Sequence, residues 1–203
     1  MNRGAMSTRA RFVALSLAIA LLGGCGQGGA PAGDPPLAGA AIGGPFELVD
    51  SAGKTVRWSD FDGKYRMVYF GYAYCPDVCP LDVQRMMQGF AQFKKTSPEL
   101  AAQVQPIFIT IDPGRDTPAV VGEFTRAFSN DLLGLTGTRE QVDTAAKAFA
   151  VYYQKGEVSA GGGYMMDHSR AAYLMGRKGE PIATLPVDDS PEAVAAELAK
   201  WVS

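Results

Sequence analysis

Two cysteines four residues apart, where an apolar strand runs into a helix, constrain this chain more than any other feature. Tyr65 to Tyr72 is mostly apolar, with Arg66 its one charge, so the strand it predicts is covered on both faces. It leads into Ala73-Tyr74-Cys75-Pro76-Asp77-Val78-Cys79-Pro80, and apolar residues then recur at helical spacing from Leu81 to Lys95. A thiol at a helix start lies near the positive end of the helix dipole, which lowers its pKa and favours thiolate. Thiolate is both the nucleophile and the metal ligand. The bland alternative is a pair of small buried hydrophobes. The flanking prolines and the helix-start position favour a site.

The rest of the domain alternates in the same way. Pro45–Val49 and Thr55–Trp58 flank the turn Asp50-Ser51-Ala52-Gly53 and predict an N-terminal hairpin. Ser59–Gly63 predicts a short helical turn or loop, and Val104–Ile111 a second buried strand. Helices are expected over Thr117–Phe128, with Pro118 behind a capping Thr117, over Thr138–Ala150 and over Ser190–Val202. Leu132–Leu135 and Val151–Gln154 read as short strands, and Ala171–Met175 with Ile182–Leu185 as a closing hairpin. Strands separated by helices give an α/β sandwich around a central mixed sheet flanked by helices.

The N-terminus has a different character. Arg3, Arg9 and Arg11 precede an apolar run from Phe12 to Leu22, and Leu22-Gly23-Gly24-Cys25 follows. A basic start, a short apolar run and small residues form a secretory signal. The tetrapeptide resembles a bacterial lipobox, so residues 1–24 are expected to be a lipoprotein signal peptide and Cys25 the lipidated residue. Plain secretion with cleavage near Ala30 is the alternative. Residues 25–44 are rich in Gly, Ala and Pro and predict a flexible tether, with the folded domain over 45–203. Of 19 Lys and Arg, three lie in the first 24 positions, where there is no acid; the remaining 16 face 21 Asp and Glu, a formal charge of −5. No basic stripe is left for nucleic acid or anionic headgroups. Membrane attachment would come from acyl chains, at about 0.8 kcal/mol per buried CH₂.

The chain has three cysteines. With Cys25 lipidated, Cys75 and Cys79 are the only free thiols, too few and too close for a disulfide scaffold. His168, in Tyr164-Met165-Met166-Asp167-His168-Ser169, is the single histidine. A lone histidine is more often a surface or satisfied core residue than a ligand. Its weight here comes from the scarcity of other soft donors. Two thiolates and one imidazole suit copper in both oxidation states, Cu(I) and Cu(II), whereas structural zinc takes four ligands. Asp167 either hydrogen-bonds the other imidazole nitrogen or is solvated. Asp112 and Asp116 flank Arg115 after the second buried strand, where pairing and capping are favoured over a direct role. Met165 and Met166 are soft enough to touch Cu(I), with packing the simpler role.

Gly71 to Pro80, Asp112-Pro113-Gly114-Arg115-Asp116-Thr117-Pro118 and Asp167-His168-Ser169 together resemble the SCO/SenC family, over roughly residues 45–203. The Gly161–Gly163 run and Met165-Met166 are no part of the likeness. The resemblance implies a thioredoxin-like fold. It implies copper held by Cys75, Cys79 and His168, and Asp167 and Asp112 are the carboxylates expected behind them. It implies a metallochaperone that assists assembly of the CuA centre of cytochrome c oxidase. The implied partners are the CuA-bearing subunit and other copper carriers or thiol reductants, while the lipobox is what predicts a lipid anchor holding the protein to a bacterial membrane, facing the periplasm. A rival is a thiol–disulfide oxidoreductase that uses a redox-active Cys75–Cys79 disulfide to keep the acceptor thiols reduced. Its usual form has two residues between the cysteines, where this chain has three. A peroxidase of related fold would place Thr three positions before its cysteine, where this chain has Tyr72.

Overall fold

The strand Tyr65–Gly71 (β3) is buried at every residue in the computed structural model, which describes Met1 and residues 33–203. The leader and Cys25 lie outside the described residues. Before β3 come the hairpin strands Glu47–Val49 (β1) and Thr55–Arg57 (β2) and a 3-10 turn at Trp58–Phe61. Asp50 Oδ1 closes the hairpin by accepting from the N–H groups of Ala52 and Lys54, both at 2.9 Å, and Gly53 takes the left-handed conformation at φ 75°.

After β3 follow the helices Val78–Thr96 (α1) and Pro98–Ala101 (α2), the strand Val104–Thr110 (β4), the helix Pro118–Arg126 (α3) and the strand Leu133–Leu135 (β5). Then come Arg139–Ala148 (α4), Tyr153–Lys155 (β6), Met166–His168 (β7), Ala172–Met175 (β8), Pro181–Leu185 (β9) and Pro191–Trp201 (α5). The cap residues do what the sequence asks of them. Thr117, Thr138 and Ser190 each accept from a backbone N–H in the first turn, Thr138 in a full capping box with Gln141.

The central sheet has the order β5-β4-β3-β8-β9. β3, β4 and β5 are parallel, while β8 pairs antiparallel with both β3 and β9, so the sheet is mixed as expected. Alternate residues of β3 serve opposite faces. Tyr69 stacks on Phe108, which meets Phe124 of α3. Phe70 meets Phe149 at the end of α4, and Phe149 meets Trp58. Helices α1 and α5 pack closely at Gly89, where an added Cβ would lie 2.6 Å from the Pro191 carbonyl oxygen.

The folded part begins before Pro45. The Leu37 N–H donates to the Ile182 carbonyl at 3.0 Å and the Gly43 N–H to that of Ala148 at 2.8 Å, while Leu37 and Ile42 pack on the core. The tether expected over 25–44 is therefore wrong over its described end, because two aliphatic side chains among the small residues find apolar seats. His168 stands on β7, a short strand paired with β6 that no pattern in the sequence marks. No helix among the described residues is long and apolar enough to cross a membrane.

Candidate metal centre

The topology brings the cysteines and the histidine to one end of the sheet. β3 delivers the chain to the start of α1 at its C-terminal end. β8 runs the other way, with its first residue Ala172 opposite Tyr69, so the segment entering β8 arrives at that same end. His168 lies on that segment. Cys75 sits in the loop after β3, its N–H donating to the Tyr72 carbonyl at 3.2 Å, and Cys79 occupies the first turn of α1.

Cys79 Sγ lies 3.3 Å from His168 Nε2. His168 Nδ1 lies 2.8 Å from the Ser169 carbonyl oxygen. A carbonyl only accepts, so Nδ1 carries the proton and Nε2 turns its lone pair toward the sulfur. Burial holds the imidazole pKa below its ordinary value, which favours this neutral form. The Cys79 N–H donates to Cys75 Sγ at 3.3 Å, so a sulfur caps the start of α1 where Asp77 makes no side-chain cap. Both thiols are free, Cys75 7% exposed and Cys79 fully buried. Burial pushes the Cys79 thiol up, with the Cys75 sulfur adding to it, and this overrides the lowering expected at a helix start. In the metal-free protein Cys79 is a thiol that donates toward Nε2.

Donors bound to one ion at metal–sulfur and metal–nitrogen distances near 2.3 and 2.05 Å stand about 3.5 Å apart in a tetrahedral arrangement. The 3.3 Å between Cys79 Sγ and His168 Nε2 fits that edge. Among the described residues no three His, Cys, Asp or Glu side chains form a ready-made cage, so the donors would have to close around an ion. Cys75 and His168 line an open cavity of about 540 Å³ with Tyr72, Val78, Tyr152 and Met165. Tyr72 sets its edge against the imidazole, ring centroids 6.0 Å apart, and burial raises its phenol to about 12.

The carboxylates fall differently from expectation. Asp167 is exposed and is not the partner of Nδ1, which the Ser169 carbonyl already holds. Asp112 touches none of the three donors. It accepts from Arg115 Nε and from the Tyr164 hydroxyl, at 2.5 and 3.0 Å. Arg115 stacks 3.6 Å above the Tyr164 ring and donates to the Tyr164 carbonyl, with Tyr72 and Tyr74 beside it. Asp112 thus fastens the cysteine loop to the histidine hairpin through Arg115. Asp116 does not pair with Arg115 through a hydrogen bond. Its Oδ2 accepts from the Ala73 N–H at 2.8 Å and the Thr110 hydroxyl at 2.6 Å, and burial raises its pKa.

Sequence reasoning missed Asp82, Tyr69 and Arg170. Asp82 is fully buried, and accepts from the Tyr69 hydroxyl at 3.0 Å and from Arg170 at 3.1 and 2.7 Å. The signal was present. An acid three residues after Cys79 shares the helix stripe of Val83, Met86 and Phe90, where a charge needs a partner.

The sequence profile of the SCO1/SenC family matches residues 34–203. The chain belongs to the SCO1/SenC family. It is 43% identical to protein SenC of Rhodobacter capsulatus over 161 residues, covering 78% of this chain and 69% of SenC. It is 38% identical to the human mitochondrial SCO1 homolog over 160 residues, covering 78% of this chain and 52% of the human protein. The chain thus spans about half the length of that relative. Among solved structures it resembles copper-bound ScoI of Bradyrhizobium japonicum, with a TM-score of 0.71, 36% identity and coverage of 79% of this chain and 99% of ScoI. The fold is thioredoxin-like, as the resemblance implied.

Proposed function

We propose that this chain is a copper metallochaperone of the CuA centre, with Cys75, Cys79 and His168 as ligands. The observation that carries this is the 3.3 Å approach of Cys79 Sγ to the Nε2 lone pair of a neutral His168, with the second sulfur capping the same helical turn. Copper is the cargo. The thiolates suit Cu(I), and the imidazole adds the nitrogen that Cu(II) prefers. The rim of the cavity supports a protein acceptor. Tyr152 and Met165, which line it, are 60% and 50% exposed, an apolar border of the kind that docks against a partner. The acceptor is the CuA-bearing subunit of cytochrome c oxidase, with other copper carriers or thiol reductants as donors.

The expected result is one copper per reduced domain, lost in Cys75→Ser and Cys79→Ser. Because Cys79 holds its proton in the metal-free protein, uptake must release it. Apparent Cu(I) affinity should therefore rise with pH near neutrality, by at least about tenfold per unit, the share of the Cys79 proton. Copper stoichiometry and competition with a Cu(I) chelator at several pH values check both. A parent domain that binds no copper, yet cycles a Cys75–Cys79 disulfide with a thiol partner, would replace this reading with the oxidoreductase one.

The same proposal places the protein outside the cytoplasm, on a bacterial membrane by lipid on Cys25 and facing the periplasm, supported by Leu22-Gly23-Gly24-Cys25 after a basic, apolar leader. Cys25→Ala should move the protein out of the membrane fraction or leave its leader uncleaved. Fractionation and the mass of the mature N-terminus read this. Unchanged membrane partitioning with a cleaved leader would remove the lipid anchor.

A further inference from the structure

β6 and β7 form a ribbon of two three-residue strands outside the five-stranded sheet. A two-stranded ribbon is marginal by itself, so the imidazole on β7 needs an anchor to the rest of the fold. Two backbone N–H bonds, from Ser169 to the Tyr152 carbonyl and from Tyr152 to Ser169 Oγ, only return to β6's own side. The tie to the cysteine helix is Arg170. Its guanidinium grips Asp82 with Nη2 on Oδ1 at 2.7 Å and Nε on Oδ2 at 3.1 Å, and Tyr69 donates to the same carboxylate at 3.0 Å. Asp82 is one turn along α1 from Cys79, and Arg170 is two residues beyond His168. The pair therefore joins the segment that carries the imidazole to the one that carries the buried thiol.

Stability alone gives little reason for a charge there. The stripe around Asp82 is apolar and Asp82 fully buried, whereas the Arg170 side chain is 42% exposed, so the carboxylate bears its desolvation against a partly screened attraction. A two-pronged guanidinium–carboxylate contact instead fixes one geometry. We propose that the Asp82–Arg170 ion pair is the positioning device of the centre, holding His168 against Cys79 and thereby setting how well the protein binds Cu(II). This rests on the copper reading above.

The test uses Arg170→Ala, Arg170→Lys and the apolar double variant Asp82→Leu/Arg170→Leu, each with thermal melting as a control. In the metal-free protein the imidazole nitrogen resonances of His168 report its placement without copper. The parent should show one Nδ1-protonated form. Arg170→Ala and the double variant should show a shifted or averaged one, and Arg170→Lys should restore part of the parental signal. On loading, Cu(II) affinity should fall by about 10- to 100-fold in Arg170→Ala and the double variant, as for other groups that orient a metal ligand. The thiolate-to-Cu(II) absorption and nitrogen hyperfine coupling should weaken, and Cu(I) binding should change far less. The double variant leaves the Tyr69 hydroxyl without its acceptor and should melt somewhat below the parent, yet stay folded at the assay temperature while keeping the Cu(II) defect, which separates positioning from stability. Parental imidazole signals and Cu(II) spectra in all three variants would overturn the proposal. If the parent itself takes no copper, the copper reading fails, and the imidazole resonances alone decide whether the pair positions His168.

Discussion

Replacing His168 by Ala should abolish the Cu(II) form of the protein and leave most Cu(I) binding in place. Two thiolates satisfy Cu(I) in near-linear geometry, so loss of the imidazole should weaken Cu(I) by about tenfold or less, whereas Cu(II), which seeks nitrogen and more ligands, should weaken by about 100-fold or more. The backbone of β7 pairs with β6 through Tyr153↔His168 whatever the side chain, so the fold should persist. Removing the ring also opens the buried Cys79 sulfur to the cavity beside Cys75. Unprotected thiols reduce Cu(II). Closing one Cys75–Cys79 disulfide releases two electrons and so reduces two Cu(II) to Cu(I). Parent and variant, each loaded with Cu(II), should then differ in two ways. The parent shows thiolate-to-Cu(II) absorption with its thiols retained, and the variant bleaches as free thiols disappear. Equal and stable spectra in both would show that His168 is no ligand and would shift weight to plain thiol–disulfide exchange.

The elements with local causes were legible in the sequence. The capping residues Thr117, Thr138 and Ser190 mark three helix starts within a residue or two, and the mainly apolar runs of β3 and β4 mark the centre of the sheet. The cysteine pair and the lone histidine were legible as chemistry, since thiols at a helix start carry their own argument. What stayed hidden depends on contacts far apart in the chain. β7 spans three residues, too few for any period to show, and its neighbouring glycines look like loop. Leu37 and Ile42 looked like part of a tether because the seats they fill belong to distant elements. Asp167 drew attention by adjacency to His168, yet a backbone carbonyl one residue on satisfies Nδ1. The carboxylate paired with the segment just beyond His168 is Asp82, 88 residues from its arginine partner.

Arg66 gives the largest stability effect expected away from the site, and the sequence concealed it inside a strand otherwise apolar. Its side chain is fully buried. Nη1 donates to the Gly176 carbonyl at 2.7 Å, Nη2 reaches Asp62 at 3.0 Å, and the guanidinium lies 4.5 Å from the centre of the Trp58 ring. Burial holds its pKa below the ordinary value, and its Nε has no partner. Arg66→Ala removes the filling between Trp58 and the sheet. The resulting cavity should cost about 3 kcal/mol or more. At about 2–4 °C per kcal/mol for a domain of this size, melting should fall by roughly 6–12 °C. Arg66→Met separates packing from charge. The Gly176 carbonyl keeps the Gly179 N–H at 2.9 Å, and the Asp62 side chain, 69% exposed, returns to water, so neither group is stranded. An apolar side chain of similar length also escapes the desolvation of the guanidinium, so Met should lie within about 1.5 kcal/mol of the parent. Thermal melts of the three proteins decide the matter. If Met proves as damaging as Ala, the charged hydrogen bonds of Arg66, and not its bulk, hold this side of the sheet.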